Sequence, residues 1–125
     1  MGRIRQMISV QGRESWTLFD SGARNTYIVP HIATRLATTE LPRPTYTKLG
    51  GETKTSSQAA VLVGEIAGKP FHVEAMVIDR IGMDEEGKAI EVLFGALAMQ
   101  QWGIRLVPAE QRLDLSHYPE EFVEY

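Results

Sequence analysis

The chain has 125 residues, with 13 lysines and arginines against 16 aspartates and glutamates, three histidines and no cysteine. This slightly acidic balance argues against nucleic-acid binding, which is typical of basic proteins. The lack of cysteine excludes disulfides, thiolate zinc sites and a cysteine nucleophile, so hydrolytic chemistry would have to use carboxylates or hydroxyls. The length fits one compact domain. We therefore predict a single domain over residues 1–125, with a core from about 4 to 115 and a C-terminal tail at 116–125.

No segment indicates a metal site, a cofactor or a membrane span. His31, His72 and His117 are far apart in the sequence, and the acidic residues at 84–86 lack the spacing of a calcium loop. The longest purely apolar run, residues 59–63, is far shorter than the ~20 residues of a membrane-spanning helix. Since no targeting signal follows the basic start of the chain, we expect a cytoplasmic protein that binds no cofactor, metal or membrane.

The first third of the chain alternates strands and turns. A hairpin turn at residues 11–14 separates two strands, and the second of these ends at residues 20–23, where a glycine permits a sharp turn. Pro30 begins a short helix that extends to about Ala37, because a missing N–H costs nothing in the first turn of a helix. The predicted strands of this part are residues 4–10, 16–19 and 26–29.

The rest of the chain is also predicted to be rich in strands. The prolines of residues 41–44 predict a loop, and Gly50-Gly51 predicts the turn of a long hairpin over residues 46–66. A second hairpin turn at 67–70 precedes a strand with one buried face at 71–77. The remaining predicted elements are an acidic loop at 82–88, a strand at 90–94, a helix at 96–102 stopped by Gly103, and a hairpin of 104–107 and 113–115.

The most informative stretch is Leu18-Phe19-Asp20-Ser21-Gly22-Ala23. Two large apolar residues lead an ionisable aspartate from a buried strand into a tight turn, where its carboxylate loses part of its hydration. Gly22 lets the backbone approach a bound molecule closely, and Ser21 can donate or accept a hydrogen bond. By itself, the same stretch is also compatible with an ordinary Asx or Ser turn after a strand.

A second stretch, Val92-Leu93-Phe94-Gly95, places two large apolar residues before a glycine and a short helix. Together the two stretches resemble the retropepsin-like aspartic peptidases. The resemblance is strongest to their cellular and bacterial branch, which includes the retroviral-protease-like domain of the DNA-damage-inducible proteins. It runs from about residue 4 to 115 and implies a mainly β, closed-barrel acid-protease fold with a flap hairpin and one or two short helices. It also implies that Leu93 and Phe94 pack beneath the loop that begins at Asp20, while Gly95 leaves room for the chain behind this loop.

The resemblance also assigns a role to each residue of Asp20-Ser21-Gly22-Ala23. Asp20 would supply the catalytic carboxylate, and the Ser21 hydroxyl would hydrogen-bond across a dimer axis to the partner's loop. Gly22 would offer backbone groups to the carboxylates and to the substrate, and Ala23 would pack beside the substrate chain.

Two further groups of residues are implied to contact the substrate. Leu49, Gly50 and Gly51 would lie in or near a flap that folds over the substrate and excludes water. Arg24 and Asn25 stand where viral members carry acidic residues that hold the substrate backbone. The grip on the substrate is therefore expected to differ, and Arg24 is a candidate for recognising acidic side chains.

Peptide hydrolysis by this route needs two carboxylates that share one proton around a water, one acting as base and the other as acid. Asp79, Asp84 and Asp114 lack the Ser-Gly sequel, so the second carboxylate has to be Asp20 of another copy across a two-fold axis. We therefore predict a homodimeric aspartic endopeptidase that acts on peptide or protein substrates. The alternatives are a retropepsin-fold dimerisation or peptide-binding module without peptidase activity, and an unrelated small β-barrel with a chance match.

Overall fold

The computed structural model describes residues 2–124. Strands dominate it, as the sequence predicts, and they are joined by two short α-helices and one 3-10 helix. In chain order the elements are β1 (Arg3–Val10), β2 (Arg13–Asp20), β3 (Tyr27–Ile28), α1 (Pro30–Ala33), β4 (Thr38–Leu49), β5 (Glu52–Ile66), β6 (Lys69–Val77), β7 (Gly82–Met83), β8 (Ala89–Ile90), β9 (Val92–Phe94), α2 (Ala96–Gln101), β10 (Arg105–Val107), the 3-10 helix Pro108–Glu110 and β11 (Arg112–Asp114).

The main sheet has seven strands in the order β1-β2-β9-β3-β6-β5-β4. A second pairing of β1 with β5, at Ser9 with Glu65 and Val10 with Gly64, closes the sheet into a ring and leaves β4 outside it. Gly64 permits this closure, because a Cβ there would lie 2.3 Å from the carbonyl oxygen of Ser9. Two pairings are parallel, β2 with β9 and β3 with β6, and the other pairings are antiparallel.

Two apolar clusters fill the interior. In the larger cluster the ring of Phe94 packs against the rings of Phe19 and Phe71, with centroid distances of 4.9 and 5.3 Å. Leu18 and Leu93 belong to the smaller cluster. Successive side chains of a strand point to opposite faces, so the apolar pairs at the ends of β2 and β9 each contribute one residue to each cluster.

The predicted hairpin turns at residues 50–51 and 67–70 are confirmed. The β4–β5 hairpin turns at Gly50-Gly51, where both residues have positive φ, as a two-residue turn between antiparallel strands requires. The β5–β6 hairpin turns at Ala67-Gly68, and β6 buries one face as its alternation predicts. The helix before Gly103 and the final hairpin of β10 and β11 are also confirmed.

The predicted loop at residues 41–44 is wrong, because β4 runs through both prolines. Its register against β5 shifts between Glu40 and Thr45, so the residues in between form no regular pairs. β4 lies at the edge of the sheet, where a proline removes no ladder hydrogen bond from the interior. The prolines therefore produce an irregularity in an edge strand and not a break.

The first helix is shorter than predicted, since α1 ends at Ala33 and not near Ala37. The chain tightens after Ala33, where Arg35 and Leu36 donate to carbonyls only three residues earlier, and Ala37 then accepts a hydrogen bond from Val61 of β5. The chain then leaves the helical path and enters β4 at Thr38. Among the helices of residues 2–124, none is long and apolar enough to span a membrane.

The C-terminal tail, over the part that the structure describes, packs against Trp102 of the same chain. The indole of Trp102 stacks on Tyr118 at 5.8 Å and meets Phe122 edge-on at 5.5 Å. The Tyr118 hydroxyl donates to the carbonyl of Pro70. Tyr125, at the end of the tail, lies outside the described residues.

Candidate active site

Asp20 is the last residue of β2, the strand that lies between β1 and β9. The parallel register sets Leu18 beside Leu93 and Phe19 beside Phe94, so the two apolar pairs of the sequence motifs lie next to each other. This packing fixes the end of the strand, and Asp20 is only 8% exposed as a whole residue. The sequence thus brings a carboxylate to a buried strand end, where water solvates it poorly.

Both oxygens of the Asp20 carboxylate accept hydrogen bonds. The backbone N–H of Gly22 donates to Oδ1 at 2.8 Å, and the Nε of Arg3 donates to Oδ2 at 3.2 Å. The N–H of Ala23 donates to the Asp20 carbonyl at 3.1 Å and completes a tight turn. The turn therefore orients the carboxylate through the backbone, and a cation from β1 covers its second oxygen.

Residues 20–26, which we call the active loop, lie directly on the segment that follows β9. Ala96 N–H donates to the carbonyl of Ala23 at 2.7 Å, and Leu97 N–H donates to that of Arg24 at 3.1 Å. A Cβ at Gly95 would lie 2.1 Å from the carbonyl oxygen of Asn25. Only glycine permits this approach, so the second sequence motif holds the first through backbone contacts.

A buried threonine supplies one more link between the two motifs. The Thr26 hydroxyl accepts a hydrogen bond of 3.1 Å from the N–H of Gly95, and Thr26 itself is 3% exposed. Because a buried N–H without a partner is costly, this hydroxyl helps to fix the position of Gly95 under the active loop.

Ser21 is exposed and contacts the start of the chain. Its hydroxyl accepts a hydrogen bond from Gly2 N–H at 2.9 Å and lies 3.3 Å from the Gly2 carbonyl. The N–H of Ser21 donates to the same carbonyl at 3.1 Å. In the single chain the hydroxyl is therefore engaged by Gly2.

The end of β4 and the active loop pack against the same apolar cluster. Leu49 and Ala23 are both half-buried against the smaller apolar cluster. The Tyr27 hydroxyl lies 3.1 Å from the hydroxyl of Thr47 and links the hairpin to β3. Gly50 and Gly51 themselves lie open, with nothing within 4 Å of where a Cβ would be.

An ion pair anchors the other arm of this hairpin. The Lys54 ammonium, 8% exposed, lies 3.1 Å from a carboxylate oxygen of Asp79 and 3.5 Å from one of Glu52. The hydrogen bond from Lys54, together with one from the Arg80 N–H, holds the pKa of Asp79 below its ordinary value of 3.8. The ion pair thus connects the hairpin to the loop after β6.

Arg24 and Asn25 line a small cavity beside the active loop. Its volume is about 170 Å³, and Glu74, Met76 and Leu97 contribute to its wall. Within residues 2–124, no carboxylate lies within 4 Å of the Arg24 guanidinium. Arg24, in the wall of this cavity, is therefore not held by an ion pair within the described residues.

Sequence reasoning missed Arg3, Gly2 and Thr26. The contact of Arg3 with Asp20 follows from the β1–β2 register, in which residues equally far from the Gln11-Gly12 turn pair with each other. Counting back from that turn sets Arg3 opposite Asp20, so this signal was available. The contact of Thr26 with Gly95 has no such local signal, because it depends on how the active loop crosses the end of β9.

Comparison with known proteins identifies the fold. No protein-family model matches the sequence, and no curated protein matches it. Among solved structures, the retroviral protease-like domain of Ddi1 from Leishmania major matches with a TM-score of 0.66 and 12% identity, over 98% of this chain and 99% of that chain. The foamy viral protease–reverse transcriptase, solved in complex with an RNA/DNA hybrid, matches with a TM-score of 0.58 and 14% identity. That match covers 84% of this chain and 12% of the much longer viral chain.

These two matches share one feature, a retroviral-type protease fold, and at such low identities the similarity shows the fold alone. The chain therefore has a retropepsin-like fold, mainly β, with a ring-closed sheet and two short helices, as the sequence motifs predict. In this fold, Asp20 lies at the end of β2 on a loop held from below by residues 95–97.

Proposed function

We propose that this protein is a homodimeric aspartic endopeptidase in which two copies of Asp20 activate a water molecule. One observation carries the proposal. Within a retropepsin-like fold, the Asp20 carboxylate sits at a buried strand end and its Oδ1 accepts a backbone hydrogen bond from Gly22 within its own turn. A carboxylate held in this way keeps a fixed direction without a second side chain, which is what a reacting group needs.

The chemistry follows from bringing two such carboxylates together. At hydrogen-bonding distance both cannot be ionised, so they share one proton. The ionised carboxylate takes a proton from water as the water attacks the peptide carbonyl carbon, and the protonated one gives its proton to the carbonyl oxygen. The resulting tetrahedral gem-diol collapses with cleavage of the C–N bond. The carboxyl group that took the water proton gives it to the leaving nitrogen, and the other carboxylate takes a proton from a hydroxyl of the gem-diol as the new carboxylic acid forms, which restores the shared proton.

The single chain supplies one half of this site. In residues 2–124 no other aspartate follows a strand into a Ser-Gly turn, so the second carboxylate is assigned to Asp20 of a partner subunit. In the dimer the Ser21 hydroxyl would exchange its contact with Gly2 for one with the partner's loop. The β4–β5 hairpin would act as the flap, with Leu49, Gly50 and Gly51 over the bound peptide.

The substrate is proposed to be a peptide or protein segment in extended form. Arg24 and Asn25 flank the active loop, and the guanidinium of Arg24 is not held by an ion pair within the described chain. We propose that Arg24 contacts acidic side chains of the substrate, at some distance from the bond that is cleaved. Glu74 lines the same cavity. Its carboxylate would repel an acidic side chain of the substrate and so weaken this preference.

The test compares cleavage of a peptide library by the wild-type protein, Asp20→Asn and the matched control Asp114→Asn. Asp114 also ends a strand, and its Oδ1 also accepts an N–H two residues on, from Ser116 at 2.9 Å. We expect cleavage by the wild type and Asp114→Asn, and its loss in Asp20→Asn with the fold and the dimer intact. A wild type that dimerises but cleaves nothing from acidic to neutral pH would contradict the proposal and favour a binding module.

A further inference from the structure

Arg3 supplies the cation closest to the candidate catalytic carboxylate. Its Nε lies 3.2 Å from Oδ2 of Asp20, and among residues 2–124 no other basic side chain lies within 4 Å of that carboxylate. The N–H of Gly22 already occupies Oδ1. Both oxygens are therefore engaged within one chain, and the Asp20 side chain retains only 12% exposure. A water that is to be activated at Oδ2 has to compete with Arg3.

The position of Arg3 in β1 allows its guanidinium to move away from Oδ2 of Asp20. Arg3 lies directly opposite Asp20 in the β1–β2 ladder, so its backbone stays in place whatever its side chain does. The Arg3 side chain is 62% exposed, and its hydrogen bond to Asp20 runs from Nε. Ion pairs of such exposed side chains are weak. The guanidinium can thus turn out into solvent without disturbing the ladder.

The chemistry of the proposed reaction conflicts with a bound Arg3. Guanidinium remains charged, gives up no proton and hydrogen-bonds best to an ionised carboxylate. The reaction instead needs one proton shared by the two Asp20 side chains and a water beside them. An Arg3 on each Oδ2 would favour two ionised carboxylates and would occupy the place of that water.

We propose that Arg3 is an autoinhibitory contact, which covers Oδ2 of Asp20 in the resting protein and leaves it before water and substrate bind. This inference rests on the proposed function. Gly2, the neighbour of Arg3, holds the Ser21 hydroxyl that the dimer would also use. Gly2 and Arg3 thus form hydrogen bonds with Ser21 and Asp20, and the active dimer would need both of these side chains for other contacts.

The experiment measures kcat/KM for peptide cleavage by the wild type, Arg3→Gln and Arg3→Lys. Arg3→Gln removes the charge, and we expect kcat/KM to rise about two- to fivefold, the scale set by an exposed ion pair. Arg3→Lys keeps a cation but loses the planar fork, and a smaller rise is expected. Arg13→Gln is the matched control, because Arg13 lies at the far end of the same hairpin, opposite Val10. A double variant with Asp20→Asn should show no gain.

The outcomes separate this inference from the proposed function. An active wild type that depends on Asp20, together with an Arg3→Gln variant of equal or lower activity, overturns the autoinhibitory contact alone. Absence of cleavage in every protein, Arg3→Gln included, overturns both. A two- to fivefold rise of kcat/KM in Arg3→Gln over an active wild type, lost in the double variant, supports both. If Arg3→Gln melts early, Arg3→Met replaces it, because it keeps an unbranched apolar stem over the same strand.

Discussion

The active loop and the tip of the β4–β5 hairpin are both turns that follow a strand, but they are held in different ways. The active loop is bound through its backbone, by N–H groups of Ala96 and Leu97 and by the close approach of Gly95. The hairpin tip has open space around Gly50 and Gly51 and is held by side chains further down its arms. Backbone contacts fix the group that would react, whereas side-chain contacts hold the segment that would have to open.

This difference matches the two tasks of the proposed enzyme. A reacting carboxylate needs a fixed direction, and a covering hairpin has to admit a peptide and release products. Changes in the active loop should therefore be costly to the whole fold. Equivalent changes in the hairpin should cost less.

The largest contrast is expected between two glycine substitutions. In Gly95→Ala the new methyl group would lie 2.1 Å from a backbone oxygen of Asn25, which the neighbouring backbone can relieve only by moving. We expect a loss of about 2–4 kcal/mol in the free energy of unfolding. Gly51→Ala meets no atom but adopts a φ of +83°, so we expect a loss of about 1 kcal/mol. Urea unfolding measures both, and equal losses would contradict the comparison.

A smaller contrast is expected between two threonine hydroxyls. Thr26→Val leaves the buried N–H of Gly95 without its acceptor and should cost about 1–3 kcal/mol. Thr47→Val removes the partly buried hydrogen bond between Thr47 and Tyr27 and should cost no more than about 1 kcal/mol. Both changes replace a hydroxyl by a methyl group, so each is the control for the other in the same denaturation assay. The reverse order of losses would show that the hairpin, and not the active loop, is the more firmly held region.

The smallest effect is expected from the ion pair between Lys54 and Asp79. Because the folded protein holds the pKa of Asp79 below 3.8, the ionised group stabilises the fold above that pH. This contribution is lost as the pH falls through the lowered value of the folded state. Asp79→Asn should therefore lower the melting temperature at neutral pH and lose this effect in strong acid. A difference between the two proteins that persists unchanged at low pH would show that the charge of Asp79 is not its cause.

Local signals in the sequence were sufficient for most of the turns and for the succession of the long strands along the chain, although the short strands β7 and β8 were not predicted. Gly50-Gly51 predicted its hairpin because two positive φ angles are needed at one place, and the start of α1 follows from Pro30 in the same way. The end of α1 and the path through residues 41–44 were predicted wrongly. Both depend on the sheet, because the chain has to enter β4 at Thr38 and because β4 lies at an edge where prolines are tolerated.

For the candidate site, the sequence predicted the two stretches that lie together but not the contacts between them. The family resemblance of the two stretches implied that Leu93 and Phe94 pack beneath the loop of Asp20. The contact of Arg3 with Asp20 could have been read from the register of the β1–β2 hairpin. The hydrogen bond from Gly95 to Thr26 joins residues that are distant in the chain, so no local pattern reports it.

The central claim, that each chain carries half of an active site, can be tested by mixing. Wild-type protein at fixed concentration is incubated with increasing amounts of Asp20→Asn until subunits exchange, and peptide cleavage is measured. Mixed dimers would hold one Asp20 carboxylate only, so we predict that activity falls towards the uncatalysed level at large excess of the variant. The same excess of Asp114→Asn should instead raise activity. Activity that stays constant as Asp20→Asn is added would contradict a dyad shared between two chains.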